Sequence, residues 1–292
     1  MTTCKITALP ERTVIEISGA DAGPFLQGLI TNDIEPVRAG GAIHAALLTP
    51  QGKILFDFLV VAREDGYLLD CRREIAADLI KRLSFYRLRA AVEITDRSDA
   101  MAVYAIWGGD PSQIEEGVLY ADPRVSALGH RLIALSAKDA LAAWCNEAPA
   151  EVYHAHRIGL GVPEGGLDFA FGDAFPHEAD YDQLGGVDFA KGCFIGQEVV
   201  SRMEHRGTAR KRIVPVAGAA ALTSGAEITA NGSTIGSLGS VAGDKALAMI
   251  RLDRAEKALG AGNALRADGV ALTLMQPDWA TFTVPGTEGG TT

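Results

Sequence analysis

The residue types best suited to chemistry gather in residues 191–202, K-G-C-F-I-G-Q-E-V-V-S-R. A single cysteine, Cys193, lies between Gly192 and Gly196, with Lys191 two positions before it and Gln197 and Glu198 four and five after. A thiol becomes a nucleophile or a metal ligand when nearby cations or a helix N-terminus lower its pKa. Lys191, Arg202, His205, Arg206, Arg210, Lys211 and Arg212 make this stretch basic in a chain of net charge −10. A helix over 196–204 would add positive potential at its start, where a ligand carboxylate could also bind. The competing reading of the same charges is a solvated linker between domains.

Other reactive types fall into no comparable set. Cys71 and Cys145 sit in apolar surroundings and read as small buried hydrophobes. None of the four cysteines has C-x-x-C spacing, and a disulfide is not expected in a reducing compartment. The six histidines are scattered, with His154 and His156 on different faces of a predicted helix, so no metal site is expected. There is no G-x-S-x-G, no P-loop and no dinucleotide fingerprint, since the glycines at 159 and 161 follow a helix rather than a strand. Asn32 and Asp33, and then Tyr86, Arg87 and Arg89, are polar residues at element ends. Each has a local capping or turn explanation unless the fold brings them to one pocket.

The elements that must position these residues change character along the chain. A strand at 13–17 leads to a helix carrying Phe25, Leu26, Leu29 and Ile30, with Asp21 as its expected N-cap. A hairpin follows across 45–62 around Thr49, Pro50, Gln51 and Gly52, then a strand at 67–71 and a helix at 74–84. Strands are expected near 91–95, 101–107 and 131–136, and helices over 138–146 and 151–158. Residues 159–182, rich in Gly, Pro and acids, read as irregular, and long irregular segments are often functional. From 212 onward short strands alternate with turns such as Asn231-Gly232 and Asp268-Gly269, the pattern of a small barrel.

At 292 residues, 48% hydrophobic and 22% charged, the chain suits two or three globular domains. No apolar run is long enough to span a bilayer, and the acidic balance disfavours a broad nucleic-acid surface. No membrane partner and no direct nucleic-acid partner are expected. The first residues lack signal- or transit-peptide character, so a cytoplasmic location is expected.

The segment at 191–202 closely resembles the signature of the YgfZ-type folate-binding proteins, whose eukaryotic relatives act in mitochondrial iron–sulfur protein maturation. The resemblance extends to F-L-Q-G-L-I-T-N-D at 25–33, A-A-L-L-T-P-Q-G-K at 45–53, Asp57-Phe58, Y-R-L-R at 86–89 and R-I-G-L-G-V-P at 157–163. It implies an α+β, three-domain fold shared with the glycine-cleavage aminomethyltransferase. The expected parts are a discontinuous folate-binding domain (1–45 plus 150–208), a ferredoxin-like α+β domain (46–149), a C-terminal β-barrel (209–284) and a disordered tail (285–292). It also implies a tetrahydrofolate-binding accessory protein for iron–sulfur cluster assembly or repair, with assembly machinery or client cluster proteins as partners and indirect effects on tRNA modification. Whether such a protein is an enzyme stays open. Cys193 and Lys191 would carry the activity, and Asn32, Asp33, Tyr86, Arg87, Gln197, Glu198, Arg202 and Arg206 would hold tetrahydrofolate or a derivative. The alternative is a folate-dependent one-carbon transferase. The transferase, however, carries a pterin-contacting acid where this chain has Gly159, and lacks the cysteine.

Overall fold

Runs of β-branched and alternating residues dominate the first half of the chain, and they form strands that pair across long sequence distances. The computed structural model describes residues 4–38, 41–135, 145–207 and 209–287. In chain order the first elements are β1 (Lys5–Ala8), β2 (Arg12–Ser18), α1 (Ala22–Gln27), α2 (Glu35–Arg38), β3 (Ala42–Leu48), β4 (Ile54–Arg63) and β5 (Gly66–Arg72). They are followed by α3 (Ala76–Arg87), β6 (Glu93–Asp96), β7 (Met101–Trp107), β8 (Val118–Ala121), β9 (His130–Leu135), β10 (Asn146–Glu147) and α4 (Ala150–Gly159). The chain divides into two compact units, one from 1–153 with 184–197, the other from 154–183 with 198–292.

The first unit holds two five-stranded sheets, ordered β3-β4-β5-β2-β6 and β10-β1-β7-β9-β8. All pairings are antiparallel except β1 with β10. Leu26, Leu79 and Leu83 bury the inner faces of α1 and α3 against Ile15, Ile17, Phe58, Val60 and Leu69 of the first sheet. Asp21 does not cap α1. Its carboxylate accepts the Ala91 N–H at 2.7 Å instead, tying the entry of α1 to the start of β6.

A buried ionic chain joins the two sheets. Arg12 on β2 pairs with Asp70 on β5, and Asp70 also accepts the Tyr120 hydroxyl (3.0 Å) and the Arg131 guanidinium (3.3 Å) from the second sheet. Arg131 reaches on to Asp122 (3.3 Å) and to the Tyr153 hydroxyl (3.2 Å), while Arg124 grips Asp122 at 2.9 and 2.7 Å. Burial alone would raise the Asp122 pKa, but Arg124 and Arg131 hold it well below the usual carboxylate range. Burial, reinforced by Arg124, brings His44 down to about 3, so that imidazole is neutral. Buried charges persist only when paired and hydrogen-bonded, and each of these acids has at least two donors.

Two expectations are corrected here. Cys145 is buried, as expected of an apolar residue, but it is bonded to Cys4 across a sequence separation of 141. The parallel pairing of β1 and β10 sets the two cysteines side by side, which no spacing rule could show. The boundary expected at 45 falls inside β3, and β1 and β2 share sheets with strands from 54–147. Residues 46–149 therefore do not form a separate domain, because non-local pairing holds both sides of that cut in the same sheets. Of the expected segment 150–208, residues 150–153 and 184–197 belong with the first unit.

The second unit is built on a closed six-stranded barrel. Its elements are α5 (Gln197–Arg206), β11 (Lys211–Gly218), β12 (Glu227–Ala230), β13 (Ser233–Ala242), β14 (Lys245–Arg251), α6 (Leu252–Gly260), β15 (Leu265–Ala267) and β16 (Val270–Leu274). The barrel order is β11-β14-β13-β12-β15-β16, closed by β11 against β16. Residues 159–182 are irregular yet well anchored. The buried Arg157 donates to Asp168 (2.9 Å), Val162 O (2.6 Å) and Ser240 Oγ (2.8 Å), and Asp168 in turn accepts the Ser240 N–H (2.7 Å). A Cβ at Gly239 would lie 2.5 Å from Asp168, so the barrel strand can approach this acid only as glycine. The helix expected over 138–146 falls largely, and the end of the tail expected over 285–292 wholly, outside the described residues. Among the described residues no helix is long and apolar enough to cross a membrane.

Candidate functional site

Cys193 is exposed and carries a free thiol. The only other free thiol, Cys71, is buried, and burial pushes its pKa up to about 12. Reactivity of a cysteine requires access and thiolate character, so Cys193 alone of the four can meet a reagent or a metal in the folded protein.

The loop that presents this thiol is fixed on both sides. Upstream, Asp188 accepts the N–H groups of Ala190 (2.7 Å) and Lys191 (3.1 Å), and its own N–H donates to Thr31 O (3.0 Å). The Lys191 ammonium turns inward and donates to three carbonyls, Gln27 O (2.8 Å), Ile30 O (2.7 Å) and Asn32 O (2.9 Å). Those carbonyls belong to the end of α1 and the turn after it, whose outward-facing C=O groups are natural acceptors for a cation. The ammonium also lies 5.3 Å from the Phe194 ring centroid. Burial lowers the Lys191 pKa to about 8, with Asp33 and Asp188 acting in the opposite direction.

Downstream, Gly196 has φ +80°, and a Cβ there would stand 2.6 Å from Thr49 O and 3.0 Å from the Gly52 Cα. The backbone of the hairpin turn between β3 and β4 thus closes directly on Gly196. Gly192, by contrast, has open space around it.

The expected site residues divide accordingly. Lys191 has all three ammonium protons committed to carbonyls, so it acts as a clamp on the loop rather than as a donor to the thiol. Asn32 is spent on structure: its amide donates to His44 O (2.8 Å) and Gly185 O (2.6 Å), and its oxygen accepts the Asp33 N–H (2.9 Å). Asp33 accepts from Gln27 (3.0 Å) and from the N–H of Glu35 (3.1 Å), capping α2. Tyr86 packs against the core of the first unit, with Phe85 edge-on at 5.6 Å, while Arg87 is exposed. Gln197 opens α5. Glu198, Arg202 and Arg206 belong to the second unit, where Arg202 pairs with Glu198 at 2.6 Å on the exposed face of α5.

The basic cluster expected around the thiol is therefore partly consumed. Arg212 is buried in the second unit, bonded to His177 O (2.7 Å), Asp180 (3.2 Å) and Asp182 (2.5 and 2.8 Å). His177, Asp182 and Glu204 bring donor atoms within 4.8 Å of one another, with His177 Nε2 3.0 Å from Glu204. The Arg212 guanidinium already supplies the positive charge at Asp182, so this group reads as an ion-pair network. Burial, opposed by Arg212, raises the Asp180 pKa well above the usual carboxylate range, and its backbone stands at φ +61°.

A pterin ring presents donors and acceptors that must be met when buried. Asn32 has no remaining amide proton, and Gly159, with open space around its Cα, offers no carboxylate. Those positions do not fit a pterin.

Comparison with known proteins locates the chain further. Residues 6–131 match the family described as the GCVT N-terminal domain, and residues 210–282 match the C-terminal β-barrel domain of CAF17. The iron–sulfur cluster assembly factor IBA57, mitochondrial, of Homo sapiens is 33% identical over 302 residues, 93% of this chain and 84% of that protein. The homologue named for the same factor in Mycosarcoma maydis is 36% identical over 73% of this chain, which spans 57% of that longer protein. The glycine cleavage system aminomethyltransferase T of Bartonella henselae superposes with a TM-score of 0.77 over 96% of this chain and 87% of that one, at 14% identity, and so shares the fold. These relatives overturn the expected cytoplasmic location, since they are named as mitochondrial. That expectation rested on the first few residues lacking signal- or transit-peptide character.

Proposed function

We propose, from the premise that this chain belongs to the family of the iron–sulfur cluster assembly factor IBA57, that it acts in iron–sulfur cluster assembly through Cys193. The observation that carries this reading is an exposed free thiol on a loop held by the Lys191 clamp on one side and by the close approach of Gly196 on the other. Thiolates are the usual protein ligands of iron–sulfur clusters. One accessible thiol supplies one ligand, because Cys71 is buried and Cys4 and Cys145 are bonded to each other. A cluster handled at Cys193 would therefore take its remaining ligands from a partner, which suits an accessory factor working on assembly machinery or client proteins.

The more specific YgfZ-type reading adds a tetrahydrofolate ligand. Arg202 and Arg206 are our candidates for its glutamate tail. Gly159 counts against the one-carbon transferase, since the pterin-contacting carboxylate expected there is missing.

The test is complementation of a strain lacking the corresponding factor, reading the activity of cluster enzymes. Wild type should restore them, and Cys193→Ala should fail while keeping the wild-type melting temperature. Full activity of the variant would overturn the role of the thiol. Tetrahydrofolate in hundredfold excess over its Kd should stabilise the protein by about 2.7 kcal/mol. No thermal shift at millimolar folate would remove the ligand from the proposal and leave the cysteine reading standing.

A further inference from the structure

The C-terminal end of α3 exposes what a solitary domain would bury. Phe85 is 73% and Leu88 87% exposed, although Leu79 and Leu83 of the same helix are fully buried in the core. The opposite face of α3 thus completes the fold, while Leu88 stands clear of it and Phe85 touches it only through the edge of Tyr86. Around them stand Lys81, Arg82, Arg87 and Arg89, all exposed. No acidic residue occurs between Leu79 and Val92, and none of the four cations has an acidic partner among the described residues.

The backbone at the centre of the patch is itself unusual. Leu88 ends α3 with φ +44° and ψ −105°, outside the regions that residues with a Cβ adopt readily. Glycine would hold this turn without strain, and strained residues cluster at binding and switch regions. The chain keeps a leucine here and directs it into solvent.

We propose that this surface docks an acidic protein partner, with Phe85 and Leu88 entering an apolar pocket and the four cations meeting a carboxylate-rich rim. Charge complementarity selects the occupant. The chain as a whole carries −10, so an acidic protein is repelled by most of its surface, and a local cationic patch orients its approach. The same net charge opposes nucleic acid and anionic bilayers, and two apolar side chains on one helical turn are a small foot for a membrane. A symmetric dimer through this face would set four cations against four cations. The surface is independent of the reading of Cys193.

The experiment uses the full chain in cells, with photoreactive benzoyl-phenylalanine at position 85 and, as control, at the exposed Glu256. The adduct is identified by mass spectrometry, and the captured protein is purified for binding measurements. The expected adduct, absent from the control, is an acidic protein. Leu88→Gly should weaken its Kd by about tenfold or more, as for a central apolar anchor, while the melting temperature stays level or rises because strain is relieved. Phe85→Ser gives a second test of the anchor should Leu88→Gly not fold. The double variant Lys81→Glu/Arg82→Glu should lower the association rate and flatten its salt dependence. Crosslinks to lipid, nucleic acid or a second copy of this chain would overturn the proposal, as would no crosslink, or unchanged affinity in the anchor variants. Binding of phosphatidylserine vesicles or of tRNA that is lost in the same variants would overturn it too.

Discussion

Replacing Lys191 by methionine separates a clamp from a catalytic lysine. The substitution keeps a long unbranched side chain and removes only the ammonium. Three carbonyls, those of Gln27, Ile30 and Asn32, then lose donors now at 2.8, 2.7 and 2.9 Å. A hydrogen bond involving a charged group contributes about 1.5–3 kcal/mol, so the gross loss is roughly 5–9 kcal/mol. Against this stands the relief of no longer burying the ammonium, a cost expressed in its pKa of about 8. The net should be about 3 kcal/mol, at the lower end of what removing one partner from a buried charged set costs. Urea denaturation would measure it, and hydrogen exchange at the amides of 188–194 would show whether the loop opens locally before the unit unfolds. The pH profile adds an independent reading. Because the folded chain gives up this proton near pH 8 and the unfolded chain near 10.5, the unfolded state binds more protons in that window. The contribution of Lys191 to stability therefore rises with pH between those values and is flat below them, and the methionine variant should lack the rise. A loss under about 1 kcal/mol with unchanged exchange would refute the clamp.

Gly196→Ala should cost about 2 kcal/mol or more, because it combines φ +80° with a Cβ 2.6 Å from Thr49 O, and an unchanged melting temperature would contradict that contact. Arg131→Met removes the guanidinium that links Asp70 to Asp122 and leaves each acid with a single arginine partner in the interior of the first unit, so a loss of about 3 kcal/mol, the lower end for breaking a buried charged set, is expected by denaturant unfolding. Native protein should react with one equivalent of a thiol reagent, at Cys193, and denatured unreduced protein with two, whereas four in the denatured protein would show that Cys4 and Cys145 are not bonded.

Local chemistry made part of this architecture readable. Asn231 and Asp268 stand at φ +48° and +47° beside Gly232 and Gly269, the backbone that an Asn-Gly or Asp-Gly hairpin requires. The irregular stretch at 159–182 was equally plain, since glycine–proline density acts over a few residues. What stayed hidden depends on residues far apart in the chain. Arg12, Asp70, Asp122 and Arg131 lie on four different segments, and nothing at any one position announces the others. The domain boundary at 45 failed for the same reason, because the local order of elements carries no information about which strands pair. At the candidate site the exposed cysteine was legible from its neighbours. The direction of the Lys191 side chain was not, because its three carbonyl partners are supplied by residues about 160 positions earlier.

The Cys4–Cys145 bond has a mechanical consequence. Tension applied along the chain, as when an unfoldase or a translocation motor pulls on one end, passes from residue 4 to residue 145 through the two sulfurs. The strands between them bear none of that load while the bond is closed. Fully drawn out, the 141 intervening steps would add roughly 480 Å of contour, and that length stays locked. A motor pulling from the C-terminus would extract the barrel unit freely, then meet a looped segment that must enter as two strands at once. Reduction of a single bond would convert this chain from one that jams a narrow pore into one that threads it.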